Sequence, residues 1–388
     1  MKNLIDVVNL NADASCLSSK WWLEILRGGK SSYLYQWLSI YINNSKKVSL
    51  GITGATVSDI ANFNPESIDL INKNKQIFEI VLRPYSHDIG LLRTKLGFEK
   101  NLEFGIKVLK KEFGSFANYF LPPEFMLTNE QIQVLTQSKV EGVFINPVRF
   151  KKEMKLRLPS KPYIIKGVFD VEMKCIPFFE GLTAAYLNSL HFFECKEWNK
   201  IIEKSRISDI YSWRDGESSF FVPDGNEREN TWLKKESKRI NRLFLGECIP
   251  KTNFISNDIL IEKQYHYYPV HSFTAWVKEF RMLGFINKIK SIENNLANLS
   301  VKDISLWLQV INSDILSAIE KDSPVVNIKG NEKSLRKTRY TIWRSERGVE
   351  GEEMLSILEN KNLNIWAKSL APHAIKLNER LKYLHNLS

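Results

Sequence analysis

Residues 119–135 read YFLPPEFMLTNEQIQVL, and the reading of the fold turns on them. Tyr119, Phe120 and Leu121 form a short apolar run of the kind that fills a buried strand, and Pro122-Pro123 end it by removing two backbone donors and fixing φ. Glu124 then stands at the C-terminal tip of that strand. Thr128 with Gln131 three residues on makes a capping box, and Ile132 and Leu135 begin a helical apolar stripe. Strand, acidic tip and capped helix in succession is how a parallel α/β sheet or barrel presents reactive groups on one face. A glutamate after a strand is in most proteins a solvated loop acid, so the neighbouring segments decide what Glu124 is.

Outward from this stretch the pattern repeats. Residues 4–10 read as a strand that empties into Asn11-Ala12-Asp13, and 48–52 as a strand followed by a small polar turn and a helix through Ile60. Residues 77–82 form a strand that ends in Arg83-Pro84-Tyr85-Ser86-His87-Asp88. A long amphipathic helix at 96–113 follows, stopped by Gly114 in the manner of a C-cap. Residues 142–146 and 209–214 are further strands, the second opening onto Asp215-Gly216-Glu217. Helical spacing marks 21–27 and 33–41, split by Gly28-Gly29; one or two strands fall within 160–172, a helix within 177–193 and a basic helix at 230–244. Such alternation argues for parallel βαβ units closed into a barrel or wound sheet. It gathers Asn11, Asp13, His87, Asp88, Glu124, Asp215 and Glu217 on one face. After Gly246 the character changes: 250–269 is loop-like, and 273–296, 301–319, 350–358 and 363–384 read as helices around a charged run at 322–348.

Bulk properties narrow the class. With 388 residues, 43% hydrophobic and 26% charged, the chain has material for one large and one smaller domain. The net charge of +11 comes from lysines scattered through Asn- and Ile-rich sequence, not from a basic block, and reads mainly as compositional drift, with an acidic polymer or membrane surface as the lesser alternative. No helix-turn-helix, zinc or aromatic-basic motif accompanies it, so no nucleic-acid partner is expected. Cys16, Cys175, Cys195 and Cys248 lie far apart without C-x-x-C spacing, which points to reduced thiols in a cytoplasmic protein. The N-terminal apolar run is broken by Asp6 and Asn9 and reads as a first strand, not a signal peptide, and no run has the length of a membrane span.

Two carboxylates, Glu124 and Asp215, are thus expected on different strands at the same end of one sheet. Glycoside cleavage needs such a pair, one attacking or stabilising the anomeric carbon and the other protonating the departing oxygen. Gly216 beside the second would let backbone approach a sugar with no Cβ in the way. The bland reading of Asp215-Gly216 is a turn at a strand end.

The run Pro84 to Leu92, the helix ending Glu112-Phe113-Gly114 and Phe120-Leu121-Pro122-Pro123-Glu124 together resemble glycoside hydrolase family 57, as does Trp213-Arg214-Asp215-Gly216-Glu217 with the Asp-Gly-Glu segment of that family's 4-α-glucanotransferase/α-amylase-like branch. Gln309 to Asp314 is similar to the Gln-x-x-x-Asp segment that the family's helical domain leans over its sugar site. The resemblance implies a distorted (β/α)7 barrel over 1–248, a linker or crossover at 249–271 and a helical domain at 272–388. It implies Glu124 as nucleophile and Asp215 as general acid/base, with His87, Glu217 and Asp314 around the sugar and Asn11, Asp13 and Asp88 as further contacts. Trp21, Tyr85 and Trp213 are offered as aromatic platforms. No cofactor and no metal are implied, and the partner is a carbohydrate. The chain departs from the family where Asn9-Leu10-Asn11-Ala12-Asp13 stands for a His-x-His-Gln-Pro-like motif, and where Ser317-Ala318 replaces a Trp-His pair. These departures keep alive a non-catalytic carbohydrate-binding reading. A metal-dependent polysaccharide deacetylase, seeded by Asp13 and His87, would need a second histidine where Leu91 stands.

Overall fold

The computed structural model describes residues 1–11, 19–145, 162–166, 172–179, 181–220, 222–252, 254–257, 280–313, 356, 359–360, 362–370 and 377–387. Ten strands form one sheet: β1 (Lys2–Leu10), β2 (Val48–Ile52), β3 (Phe78–Leu82), β4 (Ala117–Phe120), β5 (Gly142–Ile145), β6 (Tyr163–Lys166), β7 (Glu172–Pro177), β8 (Asp209–Asp215), β9 (Ile240–Arg242) and β10 (Ile255–Asn257). Their order is β10-β6-β7-β5-β4-β3-β2-β1-β8, with β9 also on β1. Every pairing is parallel except β6 with β7. Parallel neighbours need crossovers, and helices supply them, as the alternation of short apolar runs with amphipathic segments requires.

Seven of these strands, β1 to β5, β7 and β8, curl into a distorted (β/α)7 barrel. The strand ladder is open between β7 and β8, and a backbone bond from Phe179 N–H to the Tyr211 carbonyl (2.7 Å) bridges the gap just past β7. The side-chain period of two sorts each strand into two faces. Leu4, Val8, Leu50, Leu82, Phe120 and Val143 join the outer core against the helices. Ile5, Val7, Val81, Leu121, Phe144, Ile176 and Tyr211 form a second apolar cluster, which fills the lumen. Its N-terminal end is closed by the short helix Leu245–Cys248, whose Leu245 and Gly246 N–H groups donate to the Glu79 carboxylate at 2.8 and 2.9 Å.

The capping box at Thr128 is present and opens the helix Asn129–Gln137, and Gly114, at φ 77°, ends the helix Lys95–Phe113. Elsewhere the sequence reading needs correction. The segment read as one basic helix at 230–244 is a helix Gly225–Lys235 followed by β9, which pairs with β1. The stretch read as loop at 250–269 contributes β10, on β6. Helices Pro65–Lys73 and Lys196–Lys204 were not anticipated. In the helical region Phe280–Glu293, Val301–Val310, Leu363–Leu370 and Leu377–His385 are described, while 314–319, the charged run at 322–348 and most of the expected helix at 350–358 lie outside the described residues.

That region is fastened to the barrel by buried polar contacts. Arg380 donates to both oxygens of Asp59 (2.7 and 2.5 Å) and to Gln309 (3.0 Å). Arg93, after β3, pairs with Glu293 at 2.7 Å and with Asp88 at 3.2 Å. A side chain truncated in either group would leave a buried charge without its counter-ion, so both are structural joints.

Candidate active site

The C-terminal ends of β1, β3, β4 and β8 meet at the mouth of the lumen. Asn9 and Asp215 are register partners on β1 and β8, and the Asn9 amide donates to Asp215 Oδ1 at 2.9 Å. Asp215 continues the lumen-facing row of Tyr211 and Trp213. One step further, Glu217 accepts a short hydrogen bond from the Asn11 backbone N–H, and Asn11 Oδ1 accepts from Thr53 Oγ1 at 3.5 Å.

Glu124 reaches the same mouth through a tight turn. Pro122 and Pro123 stop β4 from continuing, and Glu124 and Phe125 then take left-handed backbone at φ 55° and 52°. Two successive side-chain-bearing residues in that region cost on the order of 1–3 kcal/mol each, a strain that persists only where surrounding packing enforces it. Phe125 supplies the packing: its buried ring sits edge-on to Phe178 and Trp213, with centroids 5.4 and 5.1 Å away. The turn drives Phe125 down into the lumen and leaves Glu124 at the rim, 14% exposed, with Oε1 3.6 Å from Nε2 of His87. His87 is steered from the helical region, since Ser313 Oγ lies 3.2 Å from its Nδ1 and Ser313 N–H donates to its carbonyl at 2.8 Å.

Arg83 was not singled out from sequence and lies here too. It extends the lumen-facing row of Glu79 and Val81 to the end of β3 and is buried, with Nη1 donating to the Leu121 carbonyl at 3.2 Å. Burial lowers its pKa to about 9, against the pull of Asp215 and Glu217, which raise it. The period of two in Glu79-Ile80-Val81-Leu82-Arg83 was the available signal: an arginine in phase with a lumen valine.

Other anticipated residues lie elsewhere. Tyr85 has no exposed surface; it packs in the outer core beside Gly54, its hydroxyl accepting from Gln309 at 3.5 Å, and has no face to offer a sugar. Asp88 is taken up by Arg93, and burial together with Glu293 outweighs that arginine and raises its pKa to about 7. Trp213 is partly buried in the lumen and serves as a wall for Phe125. Gly216 serves packing and not sugar approach, because a Cβ there would meet Val8 at 2.6 Å and Leu10 at 2.8 Å on the outer side of β1. Asp13, Asp314 and the side chain of Trp21 lie outside the described residues.

Among the described residues no group of three or more His, Cys, Asp or Glu is arranged to hold a metal ion, and no helix is long and apolar enough to cross a membrane. A cavity of about 510 Å³ opens at the opposite end of the barrel, lined by Glu79, Tyr119, Glu141 and Phe244 among others. Its central carboxylate, Glu79, is already engaged by two backbone N–H groups and Ser49, and the carboxylates of the mouth do not line it. The mouth, where several acids converge, is the better candidate for chemistry.

Residues 20–173, which include the strained turn and His87, match the family described as Glycosyl hydrolase family 57. That match spans less than half of the chain and is a likeness to the family over those residues. Solved structures share the chain's fold. The 4-alpha-glucanotransferase from Thermococcus litoralis aligns with a TM-score of 0.58 at 15% identity, over 89% of this chain and 55% of that one, so the chain spans about half its length. The GH57-type branching enzyme from Pyrococcus horikoshii aligns at 0.62 and 11%, over 98% and 97%. The alpha-amylase AmyC from Thermotoga maritima aligns at 0.54 and 10%, over 98% of each chain. At such identities the likeness is one of fold. A comparison with curated proteins returns no match.

Proposed function

We propose that this chain is a cytoplasmic retaining glycosidase or transglycosylase acting on an oligosaccharide or glycoconjugate, with Glu124 as nucleophile and Asp215 as general acid/base. One observation supports the reading: Glu124 lies in the strained turn after β4 and Asp215 is the last residue of β8, both at C-terminal strand ends of one parallel array. In the first step a Glu124 oxygen attacks the anomeric carbon while Asp215 gives its proton to the departing glycosidic oxygen; the C–O bond breaks and a glycosyl ester forms. In the second, ionised Asp215 takes a proton from water or an acceptor hydroxyl, which attacks the same carbon and frees Glu124. In the tautomer in which Ser313 Oγ donates to Nδ1, His87 carries its proton on Nε2, 3.6 Å from Glu124 Oε1. Glu217, fixed by the Asn11 amide, would orient the segment that carries Asp215. We read residues 1–248 as the barrel, 249–271 as the crossover and 272–388 as the helical domain that presses Ser313 onto His87.

A second reading, a non-catalytic carbohydrate-binding member, draws on Asn9, whose amide is spent on Asp215. A panel of oligosaccharides and activated glycosides, assayed with wild type, Glu124→Ala and Asp215→Ala, separates the two. Turnover by wild type that both substitutions abolish supports the catalytic assignment. Turnover unchanged in Glu124→Ala rejects the nucleophile, and glycan binding without turnover supports the second reading.

A further inference from the structure

We propose that Arg83, in the floor of the barrel mouth, is a positioning residue for the carboxylate pair, its guanidinium holding the backbone that enters the Glu124 turn by a hydrogen bond and acting on Asp215, at the end of β8, through its charge. This rests on the reading of Asp215 as acid/base. Three observations carry it. Nη1 holds the Leu121 carbonyl, three residues before Glu124. The Nε and Nη2 edge, the fork that grips a carboxylate side-on, has no hydrogen-bond partner although both atoms are buried. Room for the side chain comes from β2, where Gly51 presents no Cβ; one placed there would lie 2.6 Å from Leu121 Cδ2 and 3.6 Å from Arg83 Cδ.

A buried guanidinium with idle donors is costly unless nearby charge offsets it. Among the described residues the charged and titratable groups of the mouth are Asp215 at the end of β8, Glu217 just past it, Glu124 after β4 and His87 after β3; β1 and β2 offer Asn9 and Gly51. These set three carboxylates against one guanidinium, so the arginine serves the carboxylates. Its positive charge favours ionised Asp215, which Glu217 and Glu124 oppose. The arginine therefore keeps Asp215 able to give up its proton in the first step instead of holding it permanently.

The test follows the Asp215 carboxyl directly. In full-length chain labelled with carboxyl-¹³C aspartate, and with Asp215→Asn to assign the signal, Arg83→Met is expected to move the Asp215 midpoint up by about one pH unit, while Arg83→Lys leaves it near the wild-type value. In an active preparation the alkaline limb of kcat/KM moves up by the same amount. Arg83→Gln, which keeps a donor for the Leu121 carbonyl, replaces Arg83→Met if the latter does not fold. An Asp215 midpoint unmoved in a folded neutral variant overturns the proposal, whatever the chain hydrolyses. Retained turnover in Asp215→Ala instead overturns the acid/base reading and leaves the titration result standing.

Discussion

Arg214 and Asp215 are neighbours on one strand, yet they face opposite ways into two different kinds of charged cluster. Arg214 points outward, where Asp6, Glu229, Tyr41, Arg242 and Glu236 surround it; it pairs with Asp6 at 3.0 Å and Glu229 at 3.1 Å, and Arg242 spans Asp6 and Glu236 at 2.8 Å each. Its ring neighbours Tyr186 and Trp232 stack on the guanidinium at 4.4 and 4.8 Å. Asp215 points inward to a mouth where Arg83 keeps two idle donors and Asn9 an idle carbonyl oxygen. Arg214 and its partners are fully buried, whereas Asp215 is only partly so. The matched charges hold β1, β8 and β9 together, whereas the mouth keeps buried polar atoms of Arg83 and Asn9 without a hydrogen-bond partner.

Breaking the inward side should abolish chemistry and spare the fold. Asp215→Ala is expected to lower turnover by about 10²–10⁴-fold, the range for a positioned proton donor, with thermal melting little changed. Breaking the outward side should do the reverse. Arg214→Met strands Glu229 in the core and leaves Asp6 with Arg242 alone, and urea titration is expected to find about 3–5 kcal/mol of lost stability.

Acid sharpens the same contrast. Burial alone would raise the Asp6 carboxyl, but Arg214 and Arg242 outweigh it and hold it at about 2, below its ordinary 3.8. The stability it contributes is present above pH 3.8 and lost as pH falls toward 2. Asp88 runs the other way: raised to about 7, it contributes most below pH 3.8 and loses that contribution as pH rises through 7. Melting followed from pH 2 to 8 should fall at both ends. In Arg214→Met the acid-side decline should shrink, and in Asp88→Asn the decline near neutrality should disappear.

Smaller effects probe the frame of the mouth. A Cβ at Gly105 would sit 2.5 Å from the Arg83 carbonyl and 2.7 Å from Pro84 C, both backbone. Gly105→Ala is therefore expected to cost about 1–3 kcal/mol and to displace His87, visible as a change in its imidazole NMR signal. Thr128→Ala removes half of the capping box after the Glu124 turn, and about 1 kcal/mol in a urea titration is the expected loss.

Much of this frame was legible because its signals are local. The apolar run before Pro122, the Thr128–Gln131 box and the glycine at 114 each fix their own neighbourhood. What the sequence hid is set by partners far along the chain. Residues 240–242 read as the tail of a helix until β1 offers them a ladder, and the arginine at 83 reads as loop until β4 and β8 close around it. Tyr85 sits three residues past the end of β3 yet turns into the core, because Gly54 and Gln309 receive it there. Asn64-Pro65 was a local helix start that went unread, although the Asn64 side chain caps Ser67.

The most direct test is to trap the sugar on the protein. Asp215→Ala, incubated with an activated glycoside that needs no acid for its departure, should accumulate a glycosyl ester, and mass spectrometry of its peptides should find the added mass on Glu124. A label on Glu217, or on no residue of the mouth while the wild type turns over the same glycoside, would contradict the assignment of the β4-tip carboxylate as the attacking group.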